Sequence, residues 1–495
     1  MGLLHARLAK YDLPQKMMEK GIYPYFRQIT SKQGTEVTMD GHKIMMFGSN
    51  AYTGLTGDER VINAGIEALK KYGSGCAGSR FLNGTLDIHV QLEKELAEFV
   101  GKDEALVFST GFTVNSGVIP QLLTKDDFII CDDRDHASIV DGRRLSFAKS
   151  MHYKHNDMKD LERCLRRCPK NAVKLIVVDG VFSMEGDLAK LPEIVELKHK
   201  YDNVCIMVDE AHGLGVFGKQ GRGVCNHFGL TDEIDLIMGT FSKSLAAIGG
   251  VIAADSVIIN YLRHTARTYI FQASDTPAAT ASAREALHII QTEPERITKL
   301  WDVTNYALRR FKEAGFEIGE TESPIIPLYV RDLEKTFIVT KRAFDEGVFI
   351  NSVIPPACAP QDTLIRFSLM ATHTREQVDR AVEALHIILN EPKRITNLGD
   401  VTNYALRRFK EAGFEIGDTE SPIIPLYVRD LEKTFVVTKR AFDEGGVFIN
   451  SVVPPACAPQ DTLIRFSLMA THTREQVDRA VDALTKIFKE EGIIK

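Results

Sequence analysis

The sequence lacks the features that mark membrane, secreted, metal-bound and nucleic-acid-binding proteins. The uncharged run 244–254 is too short to cross a bilayer, and residues 1–11 lack the apolar core of a signal peptide. A net charge of −6 over 495 residues gives no reason to expect nucleic-acid binding. The eight cysteines show no metal-ligand spacing. We therefore expect a cytoplasmic protein with reduced thiols, no metal and no integral membrane segment.

Composition and patterning favour a soluble α/β enzyme. The chain is 44% hydrophobic and 26% charged, as ordinary globular proteins are. Between about residues 52 and 254, helix-like segments alternate with short apolar runs. That alternation predicts an α/β fold with a mainly parallel central sheet and helices on both faces. The predicted helices include 90–100 and 191–201, and the predicted strands include 105–108, 128–131, 174–178, 205–208 and 236–238.

Two polar motifs directly follow two of the predicted strands. Asp209-Glu-Ala-His212 comes after the run 205–208, and Gly239-Thr-Phe-Ser-Lys243-Ser244 comes after the run 236–238. Ligands of α/β sheets bind just beyond the carboxyl ends of the strands. A lysine can form a Schiff base with pyridoxal 5'-phosphate (PLP), and an aspartate can keep its pyridine nitrogen protonated. These residue types therefore favour PLP chemistry, with Thr240 and Ser242 as phosphate donors.

Plainer interpretations of both motifs exist. Lys243 could be a surface lysine after a strand, and Asp209 could simply cap a following helix. The apolar run before Asp209, however, would leave its charge nearly buried, and a buried carboxylate needs a cationic partner. A protonated pyridinium would supply that partner, so we prefer the cofactor interpretation.

Three further loops at predicted strand ends carry candidate site residues. The backbone amides of Ser109-Thr-Gly111-Phe112 could hold a phosphate at the start of a helix, although such turns are common. His136 could stack on a planar ring or lie in an ordinary helix-start loop. Ser183 could contact the ring or be only a turn serine.

The second half of the chain contains a long internal repeat. Residues 285–382 align with 383–481; eight of the 98 aligned positions differ, and the second copy has one extra glycine at Gly445-Gly446. The period is too long and the copies too few for a solenoid. A recent tandem duplication and an error of sequence assembly both remain open. We expect an N-terminal segment (1–50), a large PLP-binding domain (51–284) and a smaller α+β C-terminal domain present twice (285–390 and 391–495).

Local differences favour the first copy as the one that completes the fold. It follows directly from the preceding helix, so its docking needs only a short loop. Trp301, the only tryptophan, is replaced by Gly399 in the second copy, where a large apolar anchor is lost. The extra glycine precedes a predicted strand, 447–449. We expect the second copy to be an appendage that exposes an apolar patch if it keeps the packed face of the first.

Several strings together resemble the α-oxoamine synthases. These PLP enzymes of fold type I condense an amino acid with an acyl-CoA, and the likeness covers residues 1 to about 389. Within the family the chain most resembles the soluble bacterial serine palmitoyltransferases. The strings are Gly75-Cys-Ala-Gly-Ser-Arg80-Phe-Leu-Asn-Gly84-Thr, Asp133-Arg-Asp-His136, Asp209-Glu-Ala-His212-Gly, Gly239-Thr-Phe-Ser-Lys243-Ser and Leu364-Ile-Arg366-Phe-Ser-Leu-Met-Ala-Thr-His373-Thr.

The resemblance implies a role for each matched residue. Lys243 would be the Schiff-base lysine, Asp209 would pair with the pyridine nitrogen, and His212 would bond the ring hydroxyl. His136 would stack on the ring. Asn50 and Arg366 would hold the substrate carboxylate. Phosphate would be bound by Gly111, Phe112, Thr240 and Ser242, and, across the interface of a homodimer, by Ser274 of the neighbouring subunit.

The implied reaction is a decarboxylative condensation of L-serine with palmitoyl-CoA that gives 3-ketodihydrosphingosine, CoA and CO2. Gln272, Ser352 and Val251 depart from the family pattern, and the last two are expected near the substrate or acyl pocket, which leaves acyl length open. A sister synthase using glycine or alanine with a shorter acyl-CoA is the nearest alternative. An aminotransferase on the same fold, or a cofactor-binding chain inactivated by the extra domain, would also be compatible with the cofactor motif. The stretch 3–18 is expected to form a packed or dimer-contact amphipathic helix rather than a membrane anchor.

Overall fold

The chain forms two units, Met1–Leu385 (unit 1) and His386–Lys495 (unit 2). A computed structural model describes residues 2–469 and 471–495, with only the backbone described for residues 390–397. The chain passes from one unit to the other within a single helix, Arg375–Glu411. In the described residues, no helix is both long and apolar enough to span a membrane.

Unit 1 alternates helices and strands as the sequence pattern predicts. Its helices are α1 Leu3–Leu8, α2 Leu13–Glu19, α3 Glu59–Tyr72, α4 Asp87–Val100, α5 Gly111–Val118, α6 Ala137–Leu145, α7 Met158–Arg166, α8 Leu191–Lys200, α9 Val224–His227, α10 Ser256–Thr265, α11 Arg267–Ile270, α12 Pro277–Thr292, α13 Glu295–Glu313 and α14 Leu333–Asp345, and α15 Arg375–Glu411 begins in it. Its strands are β1 Glu36–Met39, β2 His42–Met46, β3 Glu104–Phe108, β4 Phe128–Asp132, β5 Lys149–Tyr153, β6 Lys174–Asp179, β7 Val204–Asp209, β8 Leu236–Thr240, β9 Gly250–Ala254, β10 Ile325–Tyr329, β11 Val348–Phe349, β12 Asn351–Val353 and β13 Leu364–Ser368.

The central element of unit 1 is a seven-stranded sheet in the order β3-β9-β8-β7-β6-β4-β5. The pairs from β8 through β5 are parallel, whereas β9 runs antiparallel to both of its neighbours, so the sheet is mixed but mainly parallel. Every residue of β4, β6, β8 and β9 is buried, which explains why these strands are continuous apolar runs. Because β6, β7 and β8 are parallel neighbours, the residues that follow them lie side by side at one edge of the sheet.

A smaller layer, formed by the C-terminal part of unit 1, packs against residues near its N-terminus. Strands β10, β13 and β12 form an antiparallel sheet, while β11 pairs in parallel with β2. Phe47, directly after β2, is fully buried and stacks on Phe367 (ring centroids 4.2 Å apart) and on His373 (4.3 Å). Its backbone carbonyl accepts a 2.7 Å hydrogen bond from the Ser368 amide. The Phe47 ring therefore joins the N-terminal segment to this smaller sheet.

Unit 2 has its own hydrophobic core and a three-stranded antiparallel sheet in the order β14-β16-β15. Its elements are β14 Ile423–Tyr427, α16 Leu431–Asp443, β15 Asn450–Val452, β16 Leu463–Ser467 and α17 Arg474–Glu490. A cavity of about 430 Å³ lies beside Phe466, Ser467 and His472. These three residues align in sequence with Phe367, Ser368 and His373, the residues that surround Phe47 in unit 1.

Two local predictions are wrong. Residues 447–449 form no strand. The aligned β11 of unit 1 pairs with β2, and among the described residues of unit 2 no strand pairs at this position. The stretch 3–18 is not one helix but two short helices, α1 and α2, and its role as a dimer contact stays a prediction. No residue of α1 is buried, and Leu3 is 76% exposed.

Replacing Phe47 with alanine should lower the free energy of unfolding of unit 1 by about 3–5 kcal/mol, because a fully buried ring is removed and its neighbours collapse only partly. Trp301, the only tryptophan, lies in unit 1 and reports its unfolding by fluorescence in a urea titration. Phe466→Ala, at the position in unit 2 that matches Phe367, is the control and should leave the Trp301 transition unchanged. An equal shift in both variants would contradict this account.

Candidate active site

Two cavities, of about 330 Å³ and 810 Å³, adjoin at the carboxyl ends of the parallel strands. Both are lined by His136, Ser183, His212 and Lys243, so these four side chains stand where the cavities meet. Thr240, at the end of β8, and Asp209, at the end of β7, line the smaller cavity. Parallel pairing of neighbouring strands therefore assembles the site at the edge of the sheet where ligands of α/β proteins bind.

Asp209 is a buried carboxylate, 3% exposed, held by neutral donors. One oxygen accepts a 2.7 Å hydrogen bond from the Asn115 side-chain amide, and the other accepts a 2.8 Å bond from the Ala211 backbone amide. Among the described residues, none of the ion pairs involves Asp209. A carboxylate so placed is orientated by the protein and is available to a positively charged ligand atom.

Lys243 lies in the turn after β8 and is the only lysine lining either of the two cavities in the described part of the chain. The pKa of its amine is lowered to about 8: burial lowers it most, the nearby carboxylate of Asp209 offsets part of that effect, and the charge of Arg366 adds to it. An amine with this pKa is neutral in a substantial fraction of molecules near neutral pH. Lys243 can therefore act as a nucleophile or accept a proton.

The other end of the small cavity is suited to a phosphate group. Helix α5 begins at Gly111 with Thr110 as its N-cap, and the amides of Gly111 and Phe112 belong to the first turn, where no intrahelical acceptor exists. A Cβ atom at Gly111 would lie 2.8 Å from Cβ and Oγ1 of Thr240, so only glycine lets the helix approach β8 this closely. The hydroxyls of Thr240 and Ser242 lie 3.1 Å apart at the same place.

His136 is the N-cap of α6, and its imidazole lines both cavities. Its Nδ1 accepts a 3.2 Å hydrogen bond from the Ser138 amide, so the neutral ring carries its proton on Nε2. Its backbone amide donates to Asp179 at 2.7 Å, which ties the loop to the end of β6. Although the ring is exposed to the cavities, desolvation by the surrounding protein lowers its pKa, and the imidazole is neutral at pH 7.

Arg366 is 5% exposed, and its contacts hold the guanidinium in one orientation. Nε donates to the Ser183 carbonyl at 2.6 Å, Nη1 to Asn50 Oδ1 at 2.8 Å and Nη2 to Tyr52 Oη at 3.2 Å. One N–H on each Nη remains for a ligand, which is the arrangement that binds a carboxylate through two parallel hydrogen bonds. The aligned Arg465 of unit 2 is exposed.

Tyr52 links this arginine to the neighbouring imidazole. Its hydroxyl shares a 2.7 Å hydrogen bond with His212 Nδ1 while accepting from Arg366. Burial lowers the pKa of His212 well below its usual value, and the nearby charges of Lys243 and Arg366 lower it further. His212 is therefore a neutral hydrogen-bonding group at the junction of the cavities.

The residues of the small cavity fit PLP. A buried carboxylate that forms no ion pair among the described residues can bind a pyridinium. A helix N-terminus with two hydroxyls beside it can bind a phosphate, and an amine of lowered pKa can react with an aldehyde. Among the described residues, no group of three or more His, Cys, Asp or Glu side chains is placed to bind a metal ion.

The structure brings together most, but not all, of the residues expected from the sequence. Those lining the two cavities are Asn50, Gly111, Phe112, His136, Ser183, Asp209, His212, Thr240, Ser242, Lys243 and Arg366. Ser274 lines neither; its hydroxyl donates to the Gly78 carbonyl at 3.1 Å. Ser352 lines the larger cavity, whereas the expectation that Val251 borders a pocket is wrong, since it is buried in β9 opposite Gly239.

The sequence analysis assigns no role to three residues that contact the site, Tyr52, Asn115 and Asp179. Asp179 directly follows an apolar run, as Asp209 does, so the same signal could have identified it. Nothing local in the sequence distinguishes Asn115, which reaches Asp209 from one turn inside α5.

Comparison with known proteins gives concordant matches. The family Aminotransferase class I and II matches residues 42–385. A serine palmitoyltransferase of Bacteroides ovatus is 80% identical over 385 residues, which cover 78% of this chain and 98% of that protein. The solved structure of Sphingomonas wittichii serine palmitoyltransferase is 35% identical with a TM-score of 0.76, covering 78% of this chain and 98% of that one. A high-resolution structure of SPT with PLP has the same identity, TM-score and coverage.

Acetylation of the cofactor-free protein should give Lys243 a half-maximal labelling rate near pH 8, because burial disfavours its charged form. Asp209→Asn should lower this midpoint, because the carboxylate stabilises the ammonium. Peptide mass spectrometry after competitive labelling measures both, with exposed Lys219 as the internal reference. A Lys243 midpoint near 10.5, the ordinary lysine value, would contradict the assignment.

Proposed function

We propose, from the premise that this chain belongs to the class I and II aminotransferase family, that it is a PLP-dependent acyltransferase of the serine palmitoyltransferase type. It would condense L-serine with palmitoyl-CoA and release CoA and CO2, giving 3-ketodihydrosphingosine. The observation that carries the proposal is the placing of Lys243 and a carboxylate-binding Arg366 at the junction of a PLP-sized cavity and a larger, mainly apolar one. The 80% identity to a serine palmitoyltransferase supports the choice of substrates.

The smaller cavity would hold the cofactor. Bound PLP supplies an aldehyde for an amine and a protonated ring that stabilises negative charge on the substrate Cα. Asp209 would keep the ring nitrogen protonated, His212 would bond the ring hydroxyl and His136 would stack on the ring, with Ser183 beside it. The phosphate would be held by Gly111, Phe112, Thr240 and Ser242.

The junction of the cavities would hold the amino acid. Arg366 would bind its carboxylate with the two N–H groups that remain after its three protein contacts, while Asn50 keeps the guanidinium in place. Lys243 would remove the Cα proton through its neutral amine, which its lowered pKa makes available. Tyr52 and His212 would exclude water and fix the hydrogen bonds on this side of the site.

The larger cavity would take the acyl chain. Most of its lining beyond the junction is aromatic or aliphatic, including Leu13, Phe337, Val353, Ile354 and Pro355. Apolar walls stabilise a long hydrocarbon chain roughly in proportion to the area removed from water. The thioester would then lie near Lys243, where the new carbon–carbon bond forms.

Two further aspects of the proposal concern assembly. The position of Ser274 outside both cavities supports a homodimer in which this hydroxyl binds the phosphate in the site of the other subunit.

We also propose that unit 2 is a second copy of the C-terminal domain, and that the first copy completes the site. Support comes from the repeat, from Trp301 donating to the Val216 carbonyl at 2.9 Å, and from the cavity of unit 2 at the position that Phe47 fills in unit 1.

Purified, PLP-loaded protein should release CoA from palmitoyl-CoA with L-serine, and at most one-tenth as fast with glycine or alanine. Lys243→Ala should lose both turnover and the visible absorption band of the bound cofactor, because the lysine amine that lines both cavities is removed. Lys219→Ala, an exposed lysine, is the matched control and should retain both. Faster release with glycine or alanine would reassign the chain to a sister synthase, and normal turnover by Lys243→Ala would refute the proposed site.

The two aligned arginines allow a direct test of which copy is used. Arg366→Ala should lower kcat/KM for L-serine by at least 100-fold, since a charge-assisted pair of hydrogen bonds is lost and its partners are left unpaired. Arg465→Ala, in an identical local sequence but exposed, should change kcat/KM less than twofold. The reverse pattern would show that the second copy completes the site.

A further inference from the structure

The wall of the larger cavity includes an aromatic cluster whose position depends on few contacts. Residues Ile22–Tyr25 have no helix or strand, so no ladder of backbone hydrogen bonds holds them. Tyr25 lines the cavity, with its ring edge-on to Phe337 (centroids 6.1 Å apart) and to Tyr23 (5.5 Å). The segment around it is anchored at its ends by Lys20 and Arg27. The position of the Tyr25 ring therefore depends mainly on contacts made by its own side chain, rather than on a backbone held in a helix or strand.

One of these contacts is a hydrogen bond across the cavity wall. Tyr25 Oη accepts from Ser352 Oγ at 2.9 Å, which joins the irregular N-terminal segment to strand β12. Ser352 also lines the cavity and is followed in it by Val353 and Ile354. Its neighbour Asn351 is the register partner of Arg366. The bond thus connects the apolar wall to the strand pair that carries the carboxylate-binding arginine.

We propose that the Tyr25–Ser352 hydrogen bond determines which acyl-chain lengths the site accepts. The bond holds an aromatic ring against the apolar part of the cavity, and the ring limits the space for methylene groups beyond the reacting carbon. The inference rests on the proposed function, because it concerns the acyl chain of that reaction. Tyr25 is a specificity residue and Ser352 a positioning residue; the three hydrogen bonds of Arg366 go to other residues.

The physical basis is the close packing of apolar pockets. A methylene more or less in a hydrophobic pocket changes discrimination by roughly 10-fold or more when the wall cannot yield. A ring held by both packing and a hydrogen bond yields less than a ring held by packing alone. Removing the ring should therefore admit longer chains, and removing only the hydrogen bond should have a smaller effect in the same direction.

The test compares kcat/KM for lauroyl-, palmitoyl- and stearoyl-CoA at saturating L-serine. Tyr25→Ala should raise the stearoyl-to-palmitoyl ratio about 10-fold. Tyr25→Phe and Ser352→Ala should each raise it about threefold, and their combination should raise it no further, because both remove the same bond. The KM for L-serine should stay unchanged, since Arg366 and Asn50 keep their contacts.

Tyr23→Phe is the matched control. The Tyr23 ring lies beside Tyr25, but among the described residues its hydroxyl has no hydrogen-bond partner, so the chain-length ratio should not change. Trp301 fluorescence and the absorbance of bound PLP identify any variant that fails to fold or to load the cofactor. Calorimetric titration of each cofactor-free variant with palmitoyl-CoA and stearoyl-CoA gives a binding ratio that does not depend on turnover.

The outcomes separate this inference from the proposed function. An active wild type whose Tyr25→Ala variant keeps the wild-type length ratio would overturn the inference and leave the function intact. A wild type that releases no CoA with any substrate pair would overturn the function. In that case the ratio of the calorimetric binding constants for stearoyl-CoA and palmitoyl-CoA would decide. A ratio that is higher in Tyr25→Ala than in the wild type would still support the inference, and an unchanged ratio would overturn it.

Discussion

The parallel pairing of β6, β7 and β8 is the constraint on which the site depends. Asp179 and Asp209 are register partners at the ends of β6 and β7, and Thr240 ends β8 beside them. Parallel strands leave their carboxyl ends at one edge, so polar side chains that the apolar strands exclude from the core meet there. Helix α5, which follows β3, brings its N-terminus at Gly111 to the same cavity.

Once gathered, these groups alter one another's protonation. Burial raises the pKa of Asp179 well above its usual value, and the charge of Asp209 raises it further. The same environment lowers the pKa values of Lys243, His136 and His212. A buried site that holds a carboxyl group beside bases of lowered pKa can bind a cationic ring and move a proton near neutral pH. The protonation behaviour of the site therefore depends on the burial of these groups close to one another more than on any single residue.

Part of the candidate site could be predicted from the sequence. Buried parallel strands appear as apolar runs, and the polar residue after each run must lie at the ligand-binding edge, so Asp209, Thr240 and Lys243 could be located without coordinates. Contacts between segments that are distant in sequence could not be predicted in this way. Tyr52 reaches His212 across 160 positions, and Ser352 reaches Tyr25 across 327. Such contacts depend on how layers pack, which has no local periodicity in the sequence.

The two aligned C-terminal segments show the limit of sequence most directly. Phe337 is 2% exposed and Phe435 is 54% exposed, although they occupy aligned positions in nearly identical stretches. Each lies on a helix of 13 residues that begins with an aspartate N-cap, so local structure is the same. What differs is the covering segment, since Tyr25 packs on Phe337. Burial is therefore a property of a residue and its partner together, and an identical sequence does not imply an identical environment: Arg366 donates to three polar groups, whereas Arg465 is exposed.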